Sequence, residues 1–253
     1  MIRAVLIDLS GTLHIGHRAL PGAVEAVRRL RQAGLQVRCV SNTSSRSRRQ
    51  LFDLLSGLGL PLSPVDLFTA PLAVARHLAE HRLRPYLLVH PDLEEEFAGF
   101  DTRAPNAVVV GFAAEHFTYS RLNRAFQLLL QGVPLLATGR ARYFQGENGL
   151  QLDAGPFLAA LEYAAGTRPL VLGKPAPEFF RWALAEMDCP PEAAVMIGDD
   201  VENDVNGALA AGLQALLVRS GKFRPGDENR ITRPGTSTVA DLAAAADLLL
   251  SGR

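Results

Sequence analysis

Ala4-Val5-Leu6-Ile7-Asp8-Leu9-Ser10-Gly11-Thr12 is the stretch whose reading decides the fold. Its apolar opening, with Val5 and Ile7 β-branched, predicts a strand buried on both faces, the pattern of parallel α/β sheets. The run stops on the carboxylate of Asp8, and Gly11 permits the sharp exit that a strand-to-loop turn needs. Open α/β sheets bind ligands beyond the carboxyl ends of their strands, so Asp8 is a candidate site residue. From this stretch alone, an ordinary loop-capping Asp is the alternative.

Three more segments repeat the pattern of an apolar strand with a polar tip. Leu35 to Val40 ends in Ser41-Asn42-Thr43, where hydroxyls and an amide open a helix and suit either an anion or a plain N-cap. Leu170-Val171-Leu172 leads into Gly173-Lys174-Pro175. Lys174 and Lys222 are the only lysines among 26 basic residues, which draws attention to Lys174 in its rigid turn. Ala194-Val195-Met196-Ile197 runs into Gly198-Asp199-Asp200, with Asp204 at the opening of a helix through Ala208. Carboxylates this close repel unless a proton or a cation offsets them, and a hard divalent cation such as Mg²⁺ suits oxygen donors. N-capping by Asp204 beside a solvated Asp200 accounts for each residue singly but not for their clustering.

Between these segments the pattern changes. Helices are expected at 71–81, 119–131 and 156–165, with strands at 86–89, 107–110 and 135–138. An acidic loop at 91–106 and a Gly-rich stretch at 146–155 separate them. Because strand-and-tip segments resume afterwards, this second α/β module is inserted rather than appended. The expected division is a Rossmann-like core of residues 1–72 and 172–253 with a module of residues 73–171 inserted in it. The tail at 223–238 reads as loop, followed by a final helix at 239–250.

The 26 basic and 26 acidic residues leave no formal net charge, which argues against nucleic-acid or membrane binding driven by bulk electrostatics. No apolar run approaches the roughly 18 residues of a membrane span, and the first residues lack a secretory signal pattern. A soluble, cytoplasmic protein is expected. Cys39 and Cys189 offer neither a disulfide framework nor metal-ligand spacing. His14 and His17 read as solvated loop residues in preference to metal ligands.

Taken together, the strand tips deliver carboxylates, hydroxyls and an amide to one sheet edge, and Lys174 precedes a helix nearby in sequence. Those are the parts of a phosphate site. The four segments resemble, in order and spacing, the four motifs of the haloacid dehalogenase superfamily in its phosphatase branch. The inserted module is similar to that superfamily's larger α/β cap. The resemblance implies an Mg²⁺-dependent phosphohydrolase with Asp8 as nucleophile, and with Asp8, the Ser10 backbone carbonyl and Asp199 as metal ligands. Leu9, Ser10, Ser41, Asn42, Thr43 and Lys174 would join Asp8 in holding the phosphoryl group, with Asp200 and Asp204 in support. It also implies a small phosphorylated substrate, a cap that closes over the site, and a possible homodimer through the cap.

One departure matters. Most phosphatases of the superfamily carry a second Asp two residues after the nucleophile as general acid and base, and here that position is Ser10. Losing such help typically costs about 10²–10⁴-fold in rate. Substrates whose leaving group needs little protonation, such as pyrophosphate or a phosphoramidate protonated on nitrogen, would suffer least. The competing expectation is a phosphate-ligand binding or regulatory protein with weak or vestigial catalysis. Carbon–halogen hydrolysis ranks last, because it has no use for the acidic cluster.

Overall fold

The computed structural model describes residues 1–146 and 149–251. The chain forms two compact units, one of residues 1–41, 48–68 and 174–253, the other of residues 42–47 and 69–173.

The first unit carries a six-stranded sheet whose first five strands run parallel. Its strands run in the order Ser237–Val239, Gln214–Val218, Ala194–Gly198, Ala4–Asp8, Gln36–Ser41 and Leu67–Thr69. All five residues of the Ala4–Asp8 strand are buried, as expected for a strand with neighbours on both edges and helices on both faces. Burying Val5, Leu6 and Ile7 contributes about 5–9 kcal/mol before chain entropy is counted. Leu30 of the Ala23–Gln32 helix, Leu51 and Leu55 of the Arg48–Gly57 helix, and Ala245 of the final helix close one side of this core. The buried Arg38 is tolerated within a strand because it donates to the carbonyls of Ala183 at 2.7 Å and Val65 at 3.1 Å and pairs with Glu186.

Register then positions the tips. Ile7 lies opposite both Ile197 and Cys39, and Gly198 lies opposite Leu217. In a parallel sheet this places Asp8, Ser41, Asp199 and the chain after Val218 along a single edge.

The second unit has its own four-stranded parallel sheet, in the order Leu170–Val171, Leu135–Ala137, Ala107–Val110 and Pro85–Leu88. Leu128 of the Tyr119–Leu129 helix and Leu158 of the Ala154–Ala165 helix pack on Val108 and Val110. Thr118 caps the first of these helices by accepting from the Arg121 N–H, a typical use of a threonine at that position.

Several local expectations change. In the Gly-rich stretch, Gly149–Leu152 forms a strand that pairs antiparallel with Tyr143–Gly146 at its start; residues 147–148 of that stretch lie outside the described residues. The tail expected to be loop contributes the edge strand Ser237–Val239, whose three residues are too short to show an alternation. The final helix begins at Leu242. His14 is buried rather than solvated, because the chain turns back through a small hairpin of His14–Ile15 and Arg18–Ala19. Among the described residues, no helix is long and apolar enough to cross a membrane.

Candidate active site

Asp8 ends its strand with its carboxylate at the sheet edge. The chain then turns sharply: the Gly11 N–H donates to the His14 carbonyl at 2.8 Å, and those of Leu13 and His14 both donate to the Leu9 carbonyl. Gly11 holds a left-handed φ of +93°, and a Cβ there would collide with the Asp199 carboxylate and the Gly221 backbone. Only glycine meets both demands. Gly11→Ala is therefore expected to cost about 1–2 kcal/mol from the left-handed backbone alone. The displaced Asp199 should also weaken uptake of Mg²⁺; thermal melts with and without added Mg²⁺ check both effects.

Lys174 holds the centre. Its ammonium donates to Asp8 Oδ1 at 2.5 Å and to Asp204 Oδ1 at 2.6 Å. Lys174 is only 4 % exposed, Asp204 1 %, Asp199 1 % and Asp8 8 %. Burial works against the charged ammonium, but the Asp204 and Asp8 carboxylates override it and hold Lys174 above the ordinary lysine range. The same burial pushes Asp204 up to about 7, with Lys174 opposing and Asp8 adding to the rise. For Asp199, burial and then the Asp8 charge push the carboxyl up to about 6, against the Lys222 N–H.

The two aspartates at the last tip do different jobs from those their spacing suggests. Asp200, not Asp204, caps the turn that follows, accepting from the N–H groups of Glu202 at 3.1 Å and Asn203 at 3.0 Å. Its carboxyl lies below the usual range: burial opposes this, but the Asn203 hydrogen bonds and Lys222 prevail. The turn over Val201–Asn206 is π-helical, a wide geometry that recurs at functional sites. It returns Asp204 to the core, where Oδ2 accepts the Asp200 N–H at 3.2 Å. Gly198 makes room for this return, since a Cβ there would overlap the Asp204 carboxylate.

Carboxylate oxygens of Asp8, Asp199 and Asp204 lie within 4.8 Å of one another, all three residues buried. Beside the one ammonium of Lys174, the three carboxylates leave two formal negative charges in a dry place. That donor set of hard oxygens fits a divalent cation such as Mg²⁺.

The other expected residues are placed as follows. Leu9 is 2 % exposed and its side chain belongs to the core, which leaves only its backbone for a ligand. Ser10 is exposed. Ser41 is buried at the tip of its strand. Asn42 and Thr43 group with the second unit, where Asn42 packs so closely on Gly173 that a Cβ on that glycine would lie 2.6 Å from Oδ1.

One segment of the site is absent from all four motifs. After Val218, Ser220 Oγ donates to the Gly11 carbonyl at 2.5 Å, and the Lys222 N–H donates to Asp199 Oδ2 at 2.6 Å. Two signals for it were present in the sequence: another apolar strand ending in polar residues, and the chain's second lysine.

Residues 5–103 match the family described as haloacid dehalogenase-like hydrolase, and residues 171–245 match the HAD-hydrolase-like family. The chain is 48 % identical to rat haloacid dehalogenase-like hydrolase domain-containing protein 2, over 99 % of this chain and 96 % of the rat protein.

The chain belongs to the haloacid dehalogenase-like hydrolases.

Within that family it is 43 % identical to the phospholysine phosphohistidine inorganic pyrophosphate phosphatase of Xenopus laevis, over 100 % of this chain and 96 % of the frog protein. The solved 4-nitrophenylphosphatase of Thermotoga maritima superposes with a TM-score of 0.90 at 28 % identity, covering 97 % of both chains. The p-nitrophenyl phosphatase of Archaeoglobus fulgidus gives 0.91 at 25 %, over 98 % of this chain and 99 % of that one. The protein is thus a haloacid dehalogenase-like hydrolase of the phosphatase branch, with the α/β fold of that family. Phosphatases of this family generally use Mg²⁺, and the buried acidic cluster is of the kind that binds it.

Proposed function

We propose that this hydrolase is an Mg²⁺-dependent phosphohydrolase that passes through an aspartyl-phosphate at Asp8. Its substrate would be a small phosphorylated compound: a phosphate monoester, pyrophosphate or a phosphoramidate. The observation that carries the proposal is the buried Lys174 ammonium bonded to both Asp8 and Asp204, with Asp199 in the same cluster.

Asp8, the Ser10 carbonyl and Asp199 would hold the cation, with Asp204 and Asp200 in support. A bound Mg²⁺ supplies charge neutralisation at the phosphoryl oxygens. Lys174 anchors one oxygen of the Asp8 carboxylate. A carboxylate oxygen of Asp8 attacks phosphorus, the bond from phosphorus to the leaving group breaks, and its electron pair departs with that group. Water then attacks the phosphorus of the acyl phosphate, releasing inorganic phosphate and restoring Asp8. Ser41 and the Leu9 and Ser10 backbone would hold the transferred phosphoryl group with Lys174. The roles given to Asn42 and Thr43 by resemblance belong to the same proposal. So does the division into a catalytic core of residues 1–72 and 172–253 and a substrate-selecting cap of residues 73–171.

Hydrolysis of p-nitrophenyl phosphate, pyrophosphate and phosphohistidine, each with and without Mg²⁺, tests the proposal. Turnover that vanishes with EDTA and returns with Mg²⁺ is the expected outcome. Exposed Ser10 favours a second reading, a phosphate-ligand binding or regulatory protein with weak catalysis. Ligand binding that requires Mg²⁺ but is followed by no turnover would support it.

The exposed position of Ser10 also leaves room for a carboxyl group. Ser10→Asp is expected to raise kcat for alkyl phosphate monoesters by about 10²-fold, the lower range of general acid–base assistance. Pyrophosphate, whose leaving group needs less protonation, should gain much less. Equal gains on both substrates would show that leaving-group protonation does not limit the enzyme.

A further inference from the structure

A single short turn grips both sides of the acidic cluster. Ser220 Oγ bonds the carbonyl of Gly11, one residue beyond Ser10, and the Lys222 N–H bonds Asp199. Between them Gly221 adopts a φ of +57°, with its backbone against Gly11 and no space for a Cβ beside the Asp199 carboxylate. The Lys222 ammonium reaches outward, 3.6 Å from Asp200 Oδ2, on a side chain that is 70 % exposed. We infer that Ser220-Gly221-Lys222 is a positioning clamp that sets how tightly the cluster binds its divalent cation. This rests on the proposed reading that Asp8, the Ser10 carbonyl and Asp199 hold that cation.

The physical case is one of preorganisation. Three buried carboxylates within 4.8 Å repel one another and, left alone, turn apart. An Asp199 oxygen that accepts a short N–H bond has the directions of its remaining lone pairs fixed as well. Peptide planes are rigid, so holding the Gly11 carbonyl leaves only the φ and ψ of Gly11 between that anchor and the Ser10 carbonyl. The clamp therefore constrains a ligand on each side before any cation arrives. Lys222 acts with two signs: its N–H organises the site, while its ammonium repels an incoming cation.

Calorimetric titration of the full chain with Mg²⁺ alone, without substrate, tests the clamp independently of turnover. Ser220→Ala should weaken Mg²⁺ binding about tenfold, in the range found when outer partners of metal ligands are removed. Ser220→Thr, which keeps the hydroxyl, should restore it. Lys222→Met, which keeps the N–H and loses the ammonium, should bind Mg²⁺ at least as tightly as the wild type. In the wild type, the Lys222 amide should be protected from hydrogen exchange, a readout that needs no variant to fold. Wild-type affinity in Ser220→Ala, no recovery in Ser220→Thr, or a Lys222 amide exchanging as freely as an open loop would each overturn the clamp. If the wild type binds Mg²⁺ and Ser220→Ala binds it equally well, the clamp alone fails and the proposed function stands. A wild type that takes up no Mg²⁺ overturns both.

Discussion

Asp8→Asn protein is expected to fold like the wild type and to lose phosphohydrolase turnover by at least about 10⁴-fold, the scale on which removing a covalent nucleophile acts. Asparagine fills the same space, and its side-chain oxygen can still accept from the Lys174 ammonium, which now bonds Asp8 Oδ1 at 2.5 Å. What it loses is the anionic oxygen that, in the proposed mechanism, attacks phosphorus. The loss should fall on kcat rather than on substrate binding, because Lys174 and the strand tips remain. Steady-state kinetics on the most rapidly hydrolysed substrate, with a thermal melt alongside, separates the two. Turnover within tenfold of wild type would sink the aspartyl-phosphate mechanism.

Lys174→Met is the second large effect, and it concerns stability as well as chemistry. The ammonium is buried and answers two carboxylates, Asp8 and Asp204, at 2.5 and 2.6 Å. Methionine keeps the length of the side chain and removes the charge, which strands those carboxylates beside Asp199. Removing one member of a buried ionic network typically costs about 3–5 kcal/mol. At about 2–4 °C per kcal/mol for a chain of this size, the melting temperature should fall on the order of 10 °C. The pH dependence follows from the direction of the shifts. Asp204 is already pushed up to about 7 by burial even with Lys174 present, and without the lysine its carboxyl rises further. A carboxyl whose folded-state pKa is raised burdens the fold fully above that pKa; the burden shrinks as pH falls through the window below it and is gone only below the unfolded value. The variant should therefore be destabilised more at pH 8 than at pH 5, and added Mg²⁺ should recover part of the loss at pH 8. Equal losses at both pH values would mean that the lysine acts through packing rather than charge.

Much of this site was legible because its signals are local. An unbroken apolar run such as Val5-Leu6-Ile7 or Val195-Met196-Ile197 marks a buried parallel strand whatever surrounds it, and a carboxylate at its end marks the sheet edge. Lys174 stood out only because the chain has so few lysines. The Asp199-Asp200…Asp204 cluster showed that charge was concentrated there, but not how it was shared. Spacing makes Asp204 the natural N-cap and Asp200 the solvated neighbour. The π-helical turn reverses this, giving the cap to Asp200 and burying Asp204 against Lys174. Nothing in a one-dimensional pattern distinguishes a π-helical turn from an α-helical one over six residues. The roles of Ser220 and Lys222 are not legible in the sequence for a related reason, since their partners Gly11 and Asp199 are distant along the chain and meet them only across the sheet edge.

The sequence by itself thus determined the strands, their polar tips and the carboxylates and hydroxyls available at one edge. Local hydrophobic periodicity and turn chemistry suffice for that. The strand before Lys174, Leu170–Val171, belongs instead to the second unit's sheet, so the lysine's place among those carboxylates was decided by the tertiary structure. The tertiary structure alone decided which charges share a dry environment and which face water. That outcome depends on distances across neighbouring strands, set here by the register of Ile7 with Ile197 and Gly198 with Leu217. Burial multiplies every charge interaction, so a few ångströms of register separate an ordinary loop aspartate from an Asp8 held in a buried acidic cluster.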